Sequence, residues 1–351
     1  MSPIDWVILI CTLATIVIYG VYKTYGAKNM NRYLLGDQQA KWWTVGLSVM
    51  ATQASAITFL STPGQAYHSG MGFVQFYFGL PIAMVIICVS FIPIYHKLKV
   101  YTAYEFLESR FDLKTRSLTA ILFLIQRGLG AGITIFAPAI ILSTILKWNL
   151  NATILIIGTL VIIYTVLGGT RAVNVTQKQQ MTIIMIGMII TFFTILNLLP
   201  ADITFSNALQ IAGAGDKLDI LDFSFDLENK YTVWTGLTGG VFLMLSYFGT
   251  DQSQVARYLS GKSIKESRLG LIFNGLVKVP MQFFILLIGV MVFVFYQFNQ
   301  APIFFNEVGV EKIMESEFKE DFDRIQKDYN QNYQVKKVLQ LSFASAINTE
   351  N

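Results

Sequence analysis

A run of small and polar side chains lies inside an apolar stretch that carries no charged residue. The stretch covers residues 42–67 and is long enough to cross a bilayer. Its middle reads ATQASAITFLSTPG, where a lipid-facing helix would carry Leu, Ile and Phe. Two interpretations are open. The segment could be a helix that packs through small residues, or a discontinuous helix whose freed carbonyls and hydroxyls form a binding site near the bilayer midplane.

Two basic residues inside other apolar stretches are the second chemical feature. Arg127 lies within 117–146 and Lys278 within 269–298. A charge at membrane depth is costly, so it normally faces the bundle interior and marks a pathway or an ion pair. Because no Asp or Glu occurs in the neighbouring spans, we expect Arg127 to bind a carboxylate of the solute bidentately. The alternative for both cations is hydrogen bonding to carbonyls that a broken helix exposes.

The composition is that of a polytopic membrane protein. The chain has 351 residues, of which 54% are hydrophobic and only 14% are charged. We predict an all-α fold in which residues 1–298 form a transmembrane domain and 299–351 form a polar extracellular segment with an amphipathic helix at 311–331. The eight predicted spans are about 6–22, 42–67, 72–95, 117–146, 148–167, 179–201, 231–250 and 269–298.

The charges of the predicted loops alternate along the chain. Most Lys and Arg residues fall in 23–41, 96–116, 168–178 and 251–268, whereas the intervening loops carry few. The positive-inside rule then places these four loops in the cytoplasm and the N-terminus outside. We therefore predict a multi-pass protein of the cell membrane, with the lipid bilayer as an obligatory partner.

Patterns typical of enzymes are missing from the sequence. It contains no HExxH motif, no glycine-rich phosphate loop and no cysteine cluster, since Cys11 and Cys88 lie in separate apolar stretches. Intramembrane hydrolysis and metal catalysis therefore have almost no support. We predict that the protein is not an enzyme and that it has no nucleic-acid partner.

Four segments together resemble the sodium/solute symporter family, which contains the sodium/glucose, sodium/proline and sodium/sialic acid transporters. The segments are SVMATQASAITFLSTPGQAYHSG (48–70), YTAYEFLESRFD (101–112), GGTRAVNVTQKQQ (168–180) and YFGTDQSQVARYLSGKS (247–263). The resemblance implies a LeuT-like core of two inverted five-helix repeats, preceded by one extra helix at 6–22. A glycine-rich second broken helix would lie at 231–250. We expect the second repeat to be incomplete in this chain, so that the chain alone does not transport.

The resemblance also implies a sodium site. The carbonyls of Ala51 and Ala54 would supply some of the oxygens that a hard cation needs, and the remaining ligands would lie outside this chain. The alternative is that both are packing alanines. Some relatives have a second sodium site with an Asp where this chain has Gln177. A neutral amide cannot balance the charge of a cation, so we expect a single sodium ion.

The expected solute site combines side chains from both broken helices. In relatives, a Tyr at the position of Tyr247 caps the solute on its inner side, and a lysine matching Lys278 contacts solute in sugar transporters. Core packing is the alternative for Tyr247 and Phe248. The expected solute contacts are Gln53, Ser55, Thr58, Gln75, Tyr77, Arg127, Tyr247, Phe248 and Lys278.

These features lead to one functional hypothesis with two alternatives. We predict a Na+-coupled secondary active transporter that imports a small polar, carboxylate-bearing solute by alternating access. One alternative is a symporter-like receptor that senses the solute. The other is a symporter whose solute is a sugar or a polyol rather than an acid.

Overall fold

The computed structural model describes residues 3–24, 38–55, 57–226 and 228–350. The predicted basic loop at 23–41 lies largely outside these residues. Within them the backbone is helical, and a single isolated bridge between Ala40 and Gly261 is the one sheet-like contact. The predicted all-α fold is confirmed. The helices are α1 (Pro3–Thr24), α2 (Trp42–Gln53), α3 (Thr62–Ser69), α4 (Gly79–Val89), α5 (Phe91–Leu98), α6 (Glu105–Arg110), α7 (Leu113–Leu146), α8 (Leu150–Asn197), α9 (Phe205–Ala214), α10 (Val233–Leu237), α11 (Gly239–Gly249), α12 (Gln252–Leu259), α13 (Ile264–Phe298), α14 (Glu307–Met314) and α15 (Lys319–Glu350).

The first predicted break is present in the structure. Helix α2 ends at Gln53, and a single π-helical turn, Ile57–Ser61, leads into α3. The two arms are bent by 69° relative to each other. Proline is tolerated in the first turn of a helix, where its missing N–H is not needed, and Pro63 stands there in α3. The interpretation as a discontinuous helix is therefore the correct one.

A second break occurs between α10 and α11, in the glycine-rich segment. The two helices meet at Thr238 and lie against the 3₁₀ helix Met71–Tyr77. A Cβ on Gly236 would lie 2.1 Å from the Gln75 carbonyl oxygen, and one on Gly240 would lie 2.7 Å from the Phe76 carbonyl oxygen. Glycine is required here because the two backbones touch.

Several helical segments are suited to cross a membrane. Among the described residues, four segments are long and apolar enough by length and composition. These are Met71–Leu98, Leu113–Leu146, Thr176–Asn197 and Ile264–Phe298, and the bent pair α2–α3 would be a fifth. Half of the apolar window of α13 is buried inside the protein, against 6% for α7. Helix α13 is thus the centre of the bundle, and α7 lies at its periphery.

Two predicted segments differ from the observed helices in where the helices begin and end. We expected separate spans at 148–167 and 179–201, but α8 is one helix of 48 residues, about 72 Å long at 1.5 Å per residue. The glycine pair at 168–169 lowers helix stability by only about 1 kcal/mol per residue relative to alanine, and α8 contains no proline. The expected amphipathic helix at 311–331 is instead divided between α14 and α15. The Ser316 hydroxyl accepts from the Phe318 N–H, a local bond that competes with helix continuation.

Helix α13 holds both arms of the first broken helix. Its Gly270 lies against Val45 of α2, and its Gly289 lies against Pro63 of α3. Between these contacts, Met281 packs in one apolar cluster with Met50. Helix α13 therefore packs against the broken helix on both sides of the break, which suits the need of non-helical backbone at membrane depth for protein cover.

Substituting Gly289→Ala should lower the stability of the protein. A Cβ at this position would lie 2.1 Å from the Pro63 carbonyl oxygen, a backbone atom that cannot move away cheaply. We expect the free energy of unfolding to fall by about 1–3 kcal/mol, the usual scale of overpacking. The change is measured by thermal unfolding of the purified protein in detergent. The matched control is Gly187→Ala in α8, where nothing lies within 4 Å. Equal melting temperatures for the two variants would contradict the close approach of α13 and α3.

Candidate functional site

Backbone groups at the first break form hydrogen bonds with residues of the same segment. The Ala54 N–H donates to the carbonyls of Met50 (3.1 Å) and Ala51 (3.0 Å). The Thr58 N–H donates to the Ser55 carbonyl at 2.9 Å, and the Thr58 hydroxyl donates to the Gln53 carbonyl at 3.0 Å. Ser55 and Thr58 therefore satisfy backbone groups that the break sets free.

The carbonyl oxygens at the break have acceptor capacity left over. Among the described residues, no N–H donates to the Ala54 carbonyl, and the Ala51 carbonyl keeps one of its two lone pairs. Both alanines also pack beside the Met50 and Met281 cluster. In the described part of the chain, no group of three or more His, Cys, Asp or Glu side chains could hold a metal. The available donors are thus neutral oxygens, which suit a hard alkali cation.

Next to the break, α13 carries a row of buried polar side chains. Asn274, Lys278 and Gln282 follow each other at four-residue spacing and are at most 1% exposed. The Lys278 ammonium, the Asn274 amide oxygen and both polar atoms of the Gln282 amide have no hydrogen-bond partner among the described residues. The buried side-chain oxygen of Gln53 also has none. Buried polar groups are normally paired, so this row has unused binding capacity.

The row of Asn274, Lys278 and Gln282 lies close to the broken helix. Met281, which falls between two of its members, belongs to the cluster that includes Ala51 and Ala54. Lys278 is therefore within one turn of a residue that packs at the break. The sequence analysis selected Lys278 but missed Asn274 and Gln282. The sequence pattern that could have identified them is the four-residue spacing of both amides from Lys278 within an otherwise apolar span.

Arg127 has an acidic partner, contrary to the expectation. Its guanidinium forms an ion pair with Asp251, with 2.5 Å between Nη2 and Oδ2. It also donates to the Ser253 hydroxyl and lies over the Tyr247 ring, 5.5 Å from the ring centre. The expectation failed because it considered acids only within neighbouring spans. Asp251 lies just beyond a predicted span, as the N-cap of α12, and the peripheral helix α7 passes beside it.

The two aromatic residues of the second broken helix have different environments. The Tyr247 ring is half-buried beside Arg127, and its hydroxyl accepts from the Gln254 side chain at 2.8 Å. Phe248 is fully buried in an apolar cluster formed mainly by α2, α4 and α12. Tyr247 thus lies beside the Arg127 guanidinium, while Phe248 packs in the core, and a solute contact at either residue stays a prediction.

The side chain of Gln75 forms hydrogen bonds with backbone groups of three other residues. Its amide nitrogen donates to the carbonyls of Gly72 (3.2 Å) and Tyr231 (2.8 Å), and its oxygen accepts from the Asp222 N–H at 2.9 Å. It thereby fastens the loop before α10 to the 3₁₀ helix. Tyr77 is half-buried and packs edge-on against Phe73. A solute contact at Gln75 or Tyr77 stays a prediction.

Gln177 joins α8 to the first arm of the broken helix. The Ser48 hydroxyl donates to its side-chain oxygen at 3.0 Å, and its amide nitrogen lies 3.2 Å from the Thr52 hydroxyl. The Thr52 hydroxyl in turn donates to the Ser48 carbonyl at 2.8 Å. The uncharged Gln177 amide is therefore hydrogen-bonded to α2, and the expectation of a single sodium ion stays a prediction.

Comparisons with known proteins agree with this architecture. The model of the sodium:solute symporter family matches residues 33–316. The chain is 32% identical over 242 residues to sodium-coupled monocarboxylate transporter 2 of Mus musculus, which covers 69% of this chain and 39% of that protein. It is 28% identical over 271 residues to the sodium/iodide cotransporter of Homo sapiens, with 77% and 42% covered. The chain thus spans less than half the length of the curated relatives it matches.

A solved structure shares the fold. It is the substrate-bound, outward-open state of a Na+-coupled sialic acid symporter, with a TM-score of 0.79 and 28% sequence identity. The match covers 87% of this chain and 65% of that chain. The helices and breaks described above are therefore those of a LeuT-like symporter fold.

Substituting Lys278→Met should raise the stability of the ligand-free protein. A buried ammonium without a partner among the described residues lowers the stability of the folded protein. An apolar side chain of similar length should therefore raise the free energy of unfolding by on the order of 2 kcal/mol. Thermal unfolding in detergent measures the change. The control is Lys262→Met in the exposed turn between α12 and α13, which should have little effect. A lower melting temperature for Lys278→Met would mean that the ammonium is a structural tie.

Proposed function

The chain belongs to the sodium:solute symporter family, and from this premise we propose that it serves the import of a small carboxylate-bearing solute, driven by sodium. Transport by alternating access requires that ion and solute together favour one conformer, since a ligand shifts an equilibrium only through its differential affinity. We place the protein in the cell membrane with its N-terminus outside, in accordance with the basic loops.

The buried ammonium of Lys278 is the observation that carries the solute class. It is 1% exposed, lies beside the broken helix and has no partner among the described residues. An anion is the natural complement of such a cation, because an uncompensated charge in this environment is expensive. The relatives point the same way, since monocarboxylates, iodide and sialic acid are all anions at neutral pH.

The amides around Lys278 favour a carboxylate that also carries hydroxyl or carbonyl groups. Gln53, Asn274 and Gln282 have buried polar atoms without partners, and these can donate to or accept from a polar solute. A halide would leave these atoms unpaired. We therefore favour a small hydroxy or oxo acid over a simple inorganic anion.

Sodium would couple to the solute through direct electrostatics. We assign the ion to the carbonyls of Ala51 and Ala54, which pack in the same apolar cluster as Met281, a residue three positions from Lys278 on α13. A cation at the carbonyls and an anion at Lys278 attract each other in the low dielectric of the bundle, so each raises the affinity of the other by the same factor. We propose one sodium ion, because the Gln177 amide replaces a carboxylate at the second position.

A neutral sugar or polyol is the second candidate. The amide atoms of Asn274 and Gln282 that have no partner among the described residues can form hydrogen bonds with hydroxyl groups of a sugar. These hydrogen bonds do not require a charged solute. In that case the Lys278 ammonium would donate to hydroxyls of the sugar. The two candidates differ in one property, which is the charge of the solute.

We expect small monocarboxylates to raise the melting temperature of the purified protein in sodium but not in potassium. The reason is linkage, because a ligand that binds only the folded state stabilises it. The screen should compare each acid with its uncharged amide and with neutral sugars. The acids should shift the melting temperature, and the amides should not.

The controls of this screen test the site and the ion count. Lys278→Met should abolish the response to acids, whereas Lys262→Met should preserve it. The response should follow a single-site curve in sodium concentration, and a Hill coefficient near two would contradict the single ion. Stabilisation by a neutral sugar, with no response to any acid, would overturn the carboxylate proposal.

A further inference from the structure

A cavity lies between α1 and α8, away from both broken helices. Its volume is about 520 Å³. Three residues from each helix line most of it, namely Cys11, Thr12 and Thr15 of α1 and Lys178, Gln179 and Thr182 of α8. None of these belongs to the first break or to the buried polar row of α13. A ligand of this cavity is therefore separate from the solute and the sodium ion proposed above.

The cavity contains a cation that no acidic group pairs. The Lys178 ammonium lies 4.5 Å from the centre of the Trp43 ring and forms no ion pair within the described part of the chain. Lys178 lies in the first turn of the apolar segment Thr176–Asn197, and Trp43 lies in the first turn of α2. Tryptophan and lysine at the ends of apolar spans are typical of the level of the lipid headgroups. The ammonium is thus placed to attract a phosphate of the bilayer.

Beside this lysine, the cavity has a buried acceptor that lacks a donor. The side-chain oxygen of Gln179 has no hydrogen-bond partner among the described residues. The nearby Thr182 hydroxyl donates to the Lys178 carbonyl at 3.0 Å, so its proton is already used. Because buried amide oxygens are normally paired, a ligand that fits this cavity should supply an N–H or O–H group.

An exposed apolar stripe continues from the cavity along α8. Ile183, Ile186 and Ile190 are 50%, 54% and 60% exposed, and their spacing places them on the same helix face as Gln179. From Lys178 to Ile190 the helix rises about 18 Å at 1.5 Å per residue. One leaflet of the hydrocarbon core is about 15 Å thick. An acyl chain of one leaflet can therefore lie along this stripe while its headgroup occupies the cavity.

We propose that this cavity binds a phospholipid whose headgroup carries a hydrogen-bond donor, as in phosphatidylglycerol and phosphatidylethanolamine. The Lys178 ammonium pairs with the phosphate, and the Gln179 oxygen accepts from the hydroxyl or ammonium of the headgroup. Phosphatidylcholine has the phosphate but no such donor, so it leaves the Gln179 oxygen unpaired. The bound lipid fills the space between α1 and the bundle.

The first test is lipid selectivity, measured by native mass spectrometry of the purified chain in detergent with one lipid added at a time. The first phosphatidylglycerol or phosphatidylethanolamine should bind about fivefold more tightly than phosphatidylcholine with the same acyl chains, the usual scale of one hydrogen bond. Gln179→Leu should abolish this preference because it removes the acceptor. The matched control is Gln180→Leu, which changes the adjacent amide outside the cavity lining and should keep the preference.

The second test is the role of the lysine. Lys178→Met should weaken the binding of all three lipids about fivefold, the usual contribution of one lysine to attraction by lipid phosphates. Lys178→Arg keeps the charge and should retain the wild-type affinity. Lys262→Met, in the exposed turn between α12 and α13, should change nothing. A melting curve verifies that each variant is folded.

Three results would overturn the inference. They are equal affinity of the wild type for the three lipids, unchanged lipid binding in Lys178→Met, and displacement of the lipid by glycerol 3-phosphate, which would identify a site for a free phosphate. These measurements contain no solute and do not require sodium. The lipid site and the carboxylate proposal can therefore fail independently of each other.

Discussion

A helix that ends inside an apolar bundle is the constraint on which the rest of this structure depends. Backbone groups released at membrane depth must find partners within the protein. Here the Thr58 hydroxyl takes up one carbonyl, and α13 covers the break through close backbone contact at Gly289 and through Met281. Among the described residues no N–H donates to the Ala54 carbonyl, so this oxygen keeps acceptor capacity at the break.

The two basic residues within the apolar helices differ in how they are paired. Arg127 is satisfied by Asp251, while Lys278 is buried without a partner among the described residues. Under the proposed function, the solute itself carries the carboxylate that Lys278 lacks. The proposed cation at the carbonyls of the break and the proposed anion at Lys278 would then each raise the affinity of the other.

The sequence was sufficient for the fold and for the main break, but not for the partners of the site residues. Small and polar residues in an uncharged stretch predicted the interruption near Ala54, and four segments predicted the family. The pairing of Arg127 was missed because Asp251 lies outside the spans, and the contacts of Gln75 with backbone groups depend on a loop 147 residues away. The basic segment at 168–178 was predicted as a loop, yet α8 continues through it.

The most direct measurement is a distance between the solute and Lys278 by solid-state NMR. Protein with ¹⁵N-labelled lysine in sodium-containing bilayers would be combined with a ¹³C-carboxylate-labelled monocarboxylate, and the Lys278 signal would be assigned by its loss in Lys278→Met. The account predicts strong dipolar coupling between the carboxylate carbon and Nζ of Lys278, at roughly 3–4 Å, the separation of an ion pair. Bound carboxylate that shows no coupling to Lys278 would contradict it.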